Sequence, residues 1–198
     1  MSKVATYLNE HLVGEVITQD AELRRAETDG SVLVSRPEMI VRVANMSDIR
    51  KIMRFCSQLA EKGHVLPISV QGYATDDTGA AIGRGITIDM TSHMHHVVGI
   101  DPKQRLIHLQ SGVSVHAANA TLSTHKGLGL PSVSYTDENG TIGGALSTAP
   151  SGITTVCSGR INDARMITSH TIPRPPCAPA NSGVRSNVSF CLMRAMPL

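Results

Sequence analysis

Aromatic residues are scarce: the 198-residue chain has no tryptophan, three tyrosines and two phenylalanines. Nucleic-acid modes that stack bases on aromatic rings therefore have little to work with, and any core must be aliphatic. The four cysteines (Cys56, Cys157, Cys177, Cys191) are scattered without a CxxC pair or metal-like spacing. The start, MSKVATYLNEHLVGE, has no apolar signal core. No apolar run approaches the roughly 18 residues that suggest a membrane span. The expectation is a reduced, cytoplasmic protein with no nucleic-acid partner and at most peripheral membrane association. A glycine fingerprint GxGxxG between a strand and a helix is also missing, which argues against a doubly wound nicotinamide-binding fold. Acidic residues are absent from 164–198, a segment with four arginines and five of the ten prolines. The formal net charge of +2 thus joins an acidic stretch, net −2 over 1–163, to a basic one of +4.

Regular patterning is present before that boundary. Tyr7, Leu8, Leu12, Val13 and Val16 give an amphipathic start, and the polar stretch Arg25 to Arg36 reads as a loop. Met39, Ile40, Val41 and Val43 predict a strand. Ser47 is read as the N-cap of a helix carrying Ile49, Ile52, Met53, Cys56, Leu59 and Ala60, closed by Gly63. Val65 to Val70 and Ile86 to Met90 predict two more strands. Val97 to Ile100 and Leu106 to Gln110 flank the turn-forming tetrad Asp101-Pro102-Lys103-Gln104 and predict a hairpin. Ser114 caps a helix with Val115, Ala118 and Leu122 that ends near Gly127. The βαβ start followed by more strands and a helix predicts an α+β fold with helices on a small sheet.

Two loops of small and hydroxyl residues stand out, 69–81 and 140–152. Successive amides in such loops can converge on an anion, because small side chains leave the N–H groups accessible. His93, His95 and His96 lie close together, but no cysteine or carboxylate is spaced to complete a closed metal site, so no metal is assigned. Asp89 reads as a strand-end residue making a turn hydrogen bond.

The ordered series RPEMIVRVANMSDIRKIMRFC, VLPISVQGYATDDTGAA, GITIDM, IDPKQRLIHLQSGV, GLGLPSVS and TIGGALSTAPSG resembles the FAD-binding PCMH-type domain, also called the vanillyl-alcohol oxidase type. It is nearest to the FAD-linked lactate and glycolate dehydrogenases. The resemblance implies two small α/β subdomains clasping FAD over 1–167. It places Gln71, Gly72, Tyr73, Ala74, Thr75, Asp76, Thr78 and Gly79 on the pyrophosphate loop. Thr141, Ile142, Gly143, Gly144, Ser147, Thr148 and Gly152 fall along the ribityl chain, pyrophosphate and ring, with Gly112 and Pro131 at turns near the flavin. The physical reading agrees with it: Gly143 and Gly144 let backbone approach a cofactor, and Thr75, Thr78 and Ser147 carry hydroxyl donors.

The pattern also departs from the family. Where the family commonly has Arg-Gly-Gly-Gly, this chain has Gln71-Gly72-Tyr73-Ala74. Members that attach flavin covalently in this loop use a histidine; Thr75 stands there, so FAD is expected to be non-covalent. Asp76 and Asp77 are expected to face solvent, away from pyrophosphate. The resemblance ends after Ile167, and 168–198 reads as a Pro-rich irregular or disordered tail, as a truncated or frame-shifted product would show. The implied function is oxidation of a small 2-hydroxy acid such as lactate or glycolate by hydride transfer to FAD. The alternatives are a truncated, non-catalytic FAD-binding fragment or an inactive remnant. No catalytic residue is assigned.

Overall fold

A computed structural model of the chain describes residues 3–103, 106–125, 128–130 and 139–148, with the backbone of 190–194 and 196–197. The elements run α1 (Lys3–His11), β1 (Glu15–Ile17), α2 (Asp20–Arg25), β2 (Met39–Arg42), α3 (Met46–Glu61), β3 (Ile68–Gln71) and β4 (Ile86–Asp89). There follow β5 (Val97–Asp101), β6 (Leu106–Gln110), α4 (Val115–Ser123), β7 (Leu128–Gly129), α5 (Ile142–Thr148), β8 (Phe190–Arg194) and β9 (Met196–Pro197). The α+β class is as the sequence predicts.

Period-2 alternation assigns the faces of the first sheet, whose order is β1-β2-β4-β3 with β2, β4 and β3 parallel. Met39 and Val41 on β2 and Ile86 and Ile88 on β4 share a core with Ala5 and Leu8 of α1 and Ile49, Ile52 and Cys56 of α3. On the opposite face Ile40 packs with Leu23 and Ala26. Thr87, also on that face and fully buried, is satisfied by a 3.0 Å hydrogen bond between its Oγ1 and Ser69 Oγ.

The cap of α3 is Asn45 rather than Ser47. Asn45 is extended (φ −158°) and its Oδ1 accepts from Asp48 N–H at 3.1 Å, which places Ser47 inside the first turn. Asp48, fully buried, accepts from the N–H groups of Val13 (3.1 Å), Gly14 (2.9 Å) and Ala44 (3.1 Å) and so ties the entry of β1 to α3.

The second half is antiparallel. β5 and β6 form the expected hairpin, with a register shift between Val97 and Gly99. Ile107 and Leu109 turn one face of β6 onto Val115, Ala118 and Leu122 of α4 and Ile142 and Ala145 of α5. Ser114 caps α4 as predicted, its Oγ accepting from Ala117 N–H at 3.1 Å.

The other edge of β6 pairs with β8 across five residues, and β7 pairs with β9. This corrects the reading of 190–197 as loop or disorder. Phe190-Cys191-Leu192-Met193 is a short apolar run that periodicity does not classify, and a bare strand edge is a template for such a segment. The rest of 168–198 lies outside the described residues. No helix among the described residues is long and apolar enough to cross a membrane.

Candidate functional site

Three parallel strands end side by side. Arg42, Asp89 and Gln71 are register partners at the carboxyl ends of β2, β4 and β3, the edge where open α/β sheets place ligands. Asp89 is occupied by its own turn: it accepts from Thr91 N–H (2.7 Å), Thr91 Oγ1 (2.6 Å) and Ser92 Oγ (2.6 Å). That matches the turn role read from the sequence. Arg42 lies among three carboxylates, Glu15 (3.5 Å), Glu22 (3.5 Å) and Asp89 (3.6 Å). Its charge is thereby balanced within the protein.

Beyond Gln71 the chain enters a loop that returns to β4 at Ile86 without a helix. Gly72, at its start, lies against Thr141: a Cβ there would sit 2.5 Å from Thr141 Oγ1, so only glycine allows the approach. Tyr73 is half exposed and Ala74 adopts φ 51°. The backbone thus keeps the left-handed conformation that the family's usual glycine would supply at Ala74. Thr75, Asp77 and Thr78 are exposed, and Asp76 folds back to accept from Thr78 N–H at 3.2 Å. Asp77 therefore faces solvent as expected, whereas Asp76 shapes the loop. Within 72–77 no backbone N–H makes a hydrogen bond among the described residues.

The second loop is built differently. Ile142 N–H donates to Val113 O (2.8 Å), Gly143 N–H to Ser111 O (2.8 Å) and Gly144 N–H to Thr141 Oγ1 (3.1 Å). These amides, which the sequence reading offers to an anion, are already satisfied. Gly143 serves close packing instead: a Cβ would lie 3.1 Å from the Ser111 backbone oxygen. The hydroxyls of Ser147 and Thr148 likewise donate to Gly143 O (2.9 Å) and Gly144 O (3.1 Å). Of the two loops, 72–77 is the one whose backbone N–H groups are without a hydrogen bond among the described residues. Pro131 and Gly152 lie outside the described residues.

Two residues carry signals the sequence reading missed. Ser111 Oγ is buried and has no hydrogen-bond partner among the described residues. Gly112, beside it, donates to Met94 O (2.8 Å), and a Cβ there would strike Met90 O. Ser111 is one hydroxyl in a strand-to-helix turn, so nothing local distinguishes it. Asp29, whose carboxylate reaches Gly79 N–H, is the other. Unbonded amides, an orphaned hydroxyl and two glycine-dependent approaches fit a bound dinucleotide that spans both halves.

His95 Nδ1 is 2.8 Å from Thr91 O and His96 Nδ1 is 3.1 Å from Gln110 Oε1, and the two rings stack. Among the described residues no three His, Cys, Asp or Glu side chains form a metal-ligand group.

Residues 37–169 match the family described as FAD binding domain. The chain is 27% identical over 150 residues to D-2-hydroxyglutarate dehydrogenase of Escherichia coli, covering 76% of this chain and 14% of that protein. The enzyme of the same name from Pantoea ananatis is 26% identical over 167 residues, covering 82% and 16%. Among solved structures, an alkyldihydroxyacetonephosphate synthase superposes over the whole chain and 40% of its own, with a TM-score of 0.77 and 17% identity. The 6-hydroxy-D-nicotine oxidase of Arthrobacter nicotinovorans covers 79% of this chain and 33% of its own, with a TM-score of 0.61 and 23% identity. These structures share the fold. The chain spans about one seventh of the length of the curated relatives it matches.

Proposed function

The chain belongs to the FAD binding domain family, whose cofactor is FAD, and we propose that it is the flavin-holding unit of a dehydrogenase for a small D-2-hydroxy acid. The observation that carries this reading is the close approach of Gly72 to Thr141, which brings the amide-rich loop of the first half onto the turn of the second. FAD, when bound, supplies a two-electron acceptor for the carbinol hydride of the substrate. The backbone of 72–77 would hold the pyrophosphate, and the Ser111 hydroxyl would donate to a polar atom of the cofactor. With Thr75 in the loop rather than histidine, the flavin is held without a covalent bond. The relatives' names favour a hydroxy diacid of the 2-hydroxyglutarate kind, and give no support to lactate or glycolate as the substrate.

A second reading is an FAD-binding unit without turnover of its own. Purified protein titrated with FAD is expected to bind one flavin that denaturation releases. Anaerobic addition of D-2-hydroxyglutarate, lactate or glycolate then separates the readings: bleaching by the diacid supports the dehydrogenase, and bound flavin without bleaching supports the second. A colourless protein that takes up no FAD sinks both and leaves the remnant.

A further inference from the structure

The loop from Gly72 to Arg84 joins two adjacent parallel strands without the helix that such crossovers normally carry. Long connections without internal structure hold one shape only if something outside pins them. Among the described residues, one hydrogen bond ties 72–84 to another part of the chain: Gly79 N–H donates to Asp29 Oδ2 at 2.9 Å, across 50 positions. Asp29 is 9% exposed. Its other oxygen, Oδ1, accepts from Ser31 N–H at 3.1 Å, so the carboxylate is clamped in its own turn while Oδ2 reaches the loop.

That turn is itself braced. Thr28 Oγ1 accepts from Gly30 N–H (3.2 Å) and Ser31 Oγ from Leu33 N–H (3.1 Å). Leu33 covers Gly79, whose φ of +80° suits glycine and whose absent Cβ would lie 2.5 Å from Leu33 Cδ1. The segment 28–33 thus presents one acceptor and one apolar lid to a single point of the loop.

We propose that Asp29 is a positioning residue for the cofactor loop: it does not touch FAD, but holds Gly79 so that the amides of 72–77 stay arrayed for the pyrophosphate. The role in cofactor binding rests on the FAD reading above; the latch itself does not. Loss of one such bond is worth about a tenfold change. Without FAD, Asp29→Ala should speed trypsin cleavage after the exposed Arg84 about tenfold, with cleavage at Lys62 unchanged. FAD should bind about tenfold more weakly to the same variant. Asp29→Asn, whose single carbonyl oxygen can accept from Gly79 N–H or Ser31 N–H but not from both, should restore both only in part.

Unchanged Arg84 cleavage in folded Asp29→Ala overturns the latch whatever FAD does. If the wild-type chain takes up no FAD, the functional reading fails while the cleavage result still decides the latch. Equal FAD affinity in wild type and Asp29→Ala, with faster cleavage, overturns the positioning role alone. Should Asp29→Ala not fold, amide exchange in the wild-type chain decides: Gly79 must exchange more slowly than Ala80 and Ala81, and equal rates overturn the proposal.

Discussion

The two halves of the molecule reach order by different routes. In the first, 3–94, the core is drawn from contiguous sequence: α1, β2, α3 and β4 supply Leu8, Met39, Val41, Ile49, Ile52, Ile86 and Ile88. In the second, β6 is covered on one face by α4 and α5, but its free edge is closed by β8, more than 75 positions later in the chain. The first half brings the loop with unbonded amides, and the second brings the rigid turn on which that loop rests. The proposed flavin site, spread over both, thus depends on one locally specified part and one that needs a distant strand.

Deleting 190–198 is the strongest test of that asymmetry. Two strands alone make a marginal sheet, and losing five paired residues removes about 3 kcal/mol of ladder bonding. Amide exchange over 106–110 should accelerate about 100-fold, while 86–89 in the first sheet stays protected. Equal acceleration in both sheets would show one cooperative unit and remove the distinction.

Gly112→Ala attacks the seam where the halves meet. The added methyl would strike Met90 O and lie 2.7 Å from Met94 O, both backbone atoms that cannot swing aside. We expect a loss of about 2 kcal/mol in urea unfolding and loss of FAD uptake. Gly99→Ala, in the same half with nothing within 4 Å of the added Cβ, is the control and should change little.

What the sequence made legible follows the same division. The strands at 39–42 and 86–89, the amphipathic α3 and the β5-β6 hairpin were readable because each announces itself through local periodicity or a turn. The short β1 and α2 carry too few residues for a period to show. β8 was hidden because its strand character comes from the edge of β6, not from its own pattern. At the proposed site, Gly72 and Thr141 were assigned by resemblance, but the satisfaction of the Ile142 to Gly144 amides depends on Ser111, Val113 and Thr141 in three dimensions. The Asp-Gly turn at Asp29 signals a bend and says nothing of a partner 50 residues away.

A smaller effect is expected where the first half departs from its family. Ala74 holds a left-handed φ of 51°, which costs an L-residue about 1–2 kcal/mol, whereas glycine gives back about 0.5–1 kcal/mol through chain entropy. Ala74→Gly should therefore stabilise the loop by a net amount of about 0.5 kcal/mol and tighten FAD about twofold. A weaker affinity in that variant would show that the methyl group itself contributes to the site.

The smallest effect is a test of how dry the first core is. Burial pushes the Cys56 thiol up from 9.0 to about 11, because the thiolate is poorly solvated on the buried face of α3. At pH 8 this lowers the thiolate fraction about 100-fold relative to a free thiol, so alkylation of Cys56 in the folded chain should be about 100-fold slower than that of a free thiol. A proton held more tightly in the folded state gives stability that is complete below pH 9.0 and declines as pH rises through about 11. The melting temperature of the wild type should then fall more steeply over that window than that of Cys56→Ala. Parallel curves would mean that water reaches Cys56 and that the first half is not the drier, self-sufficient part.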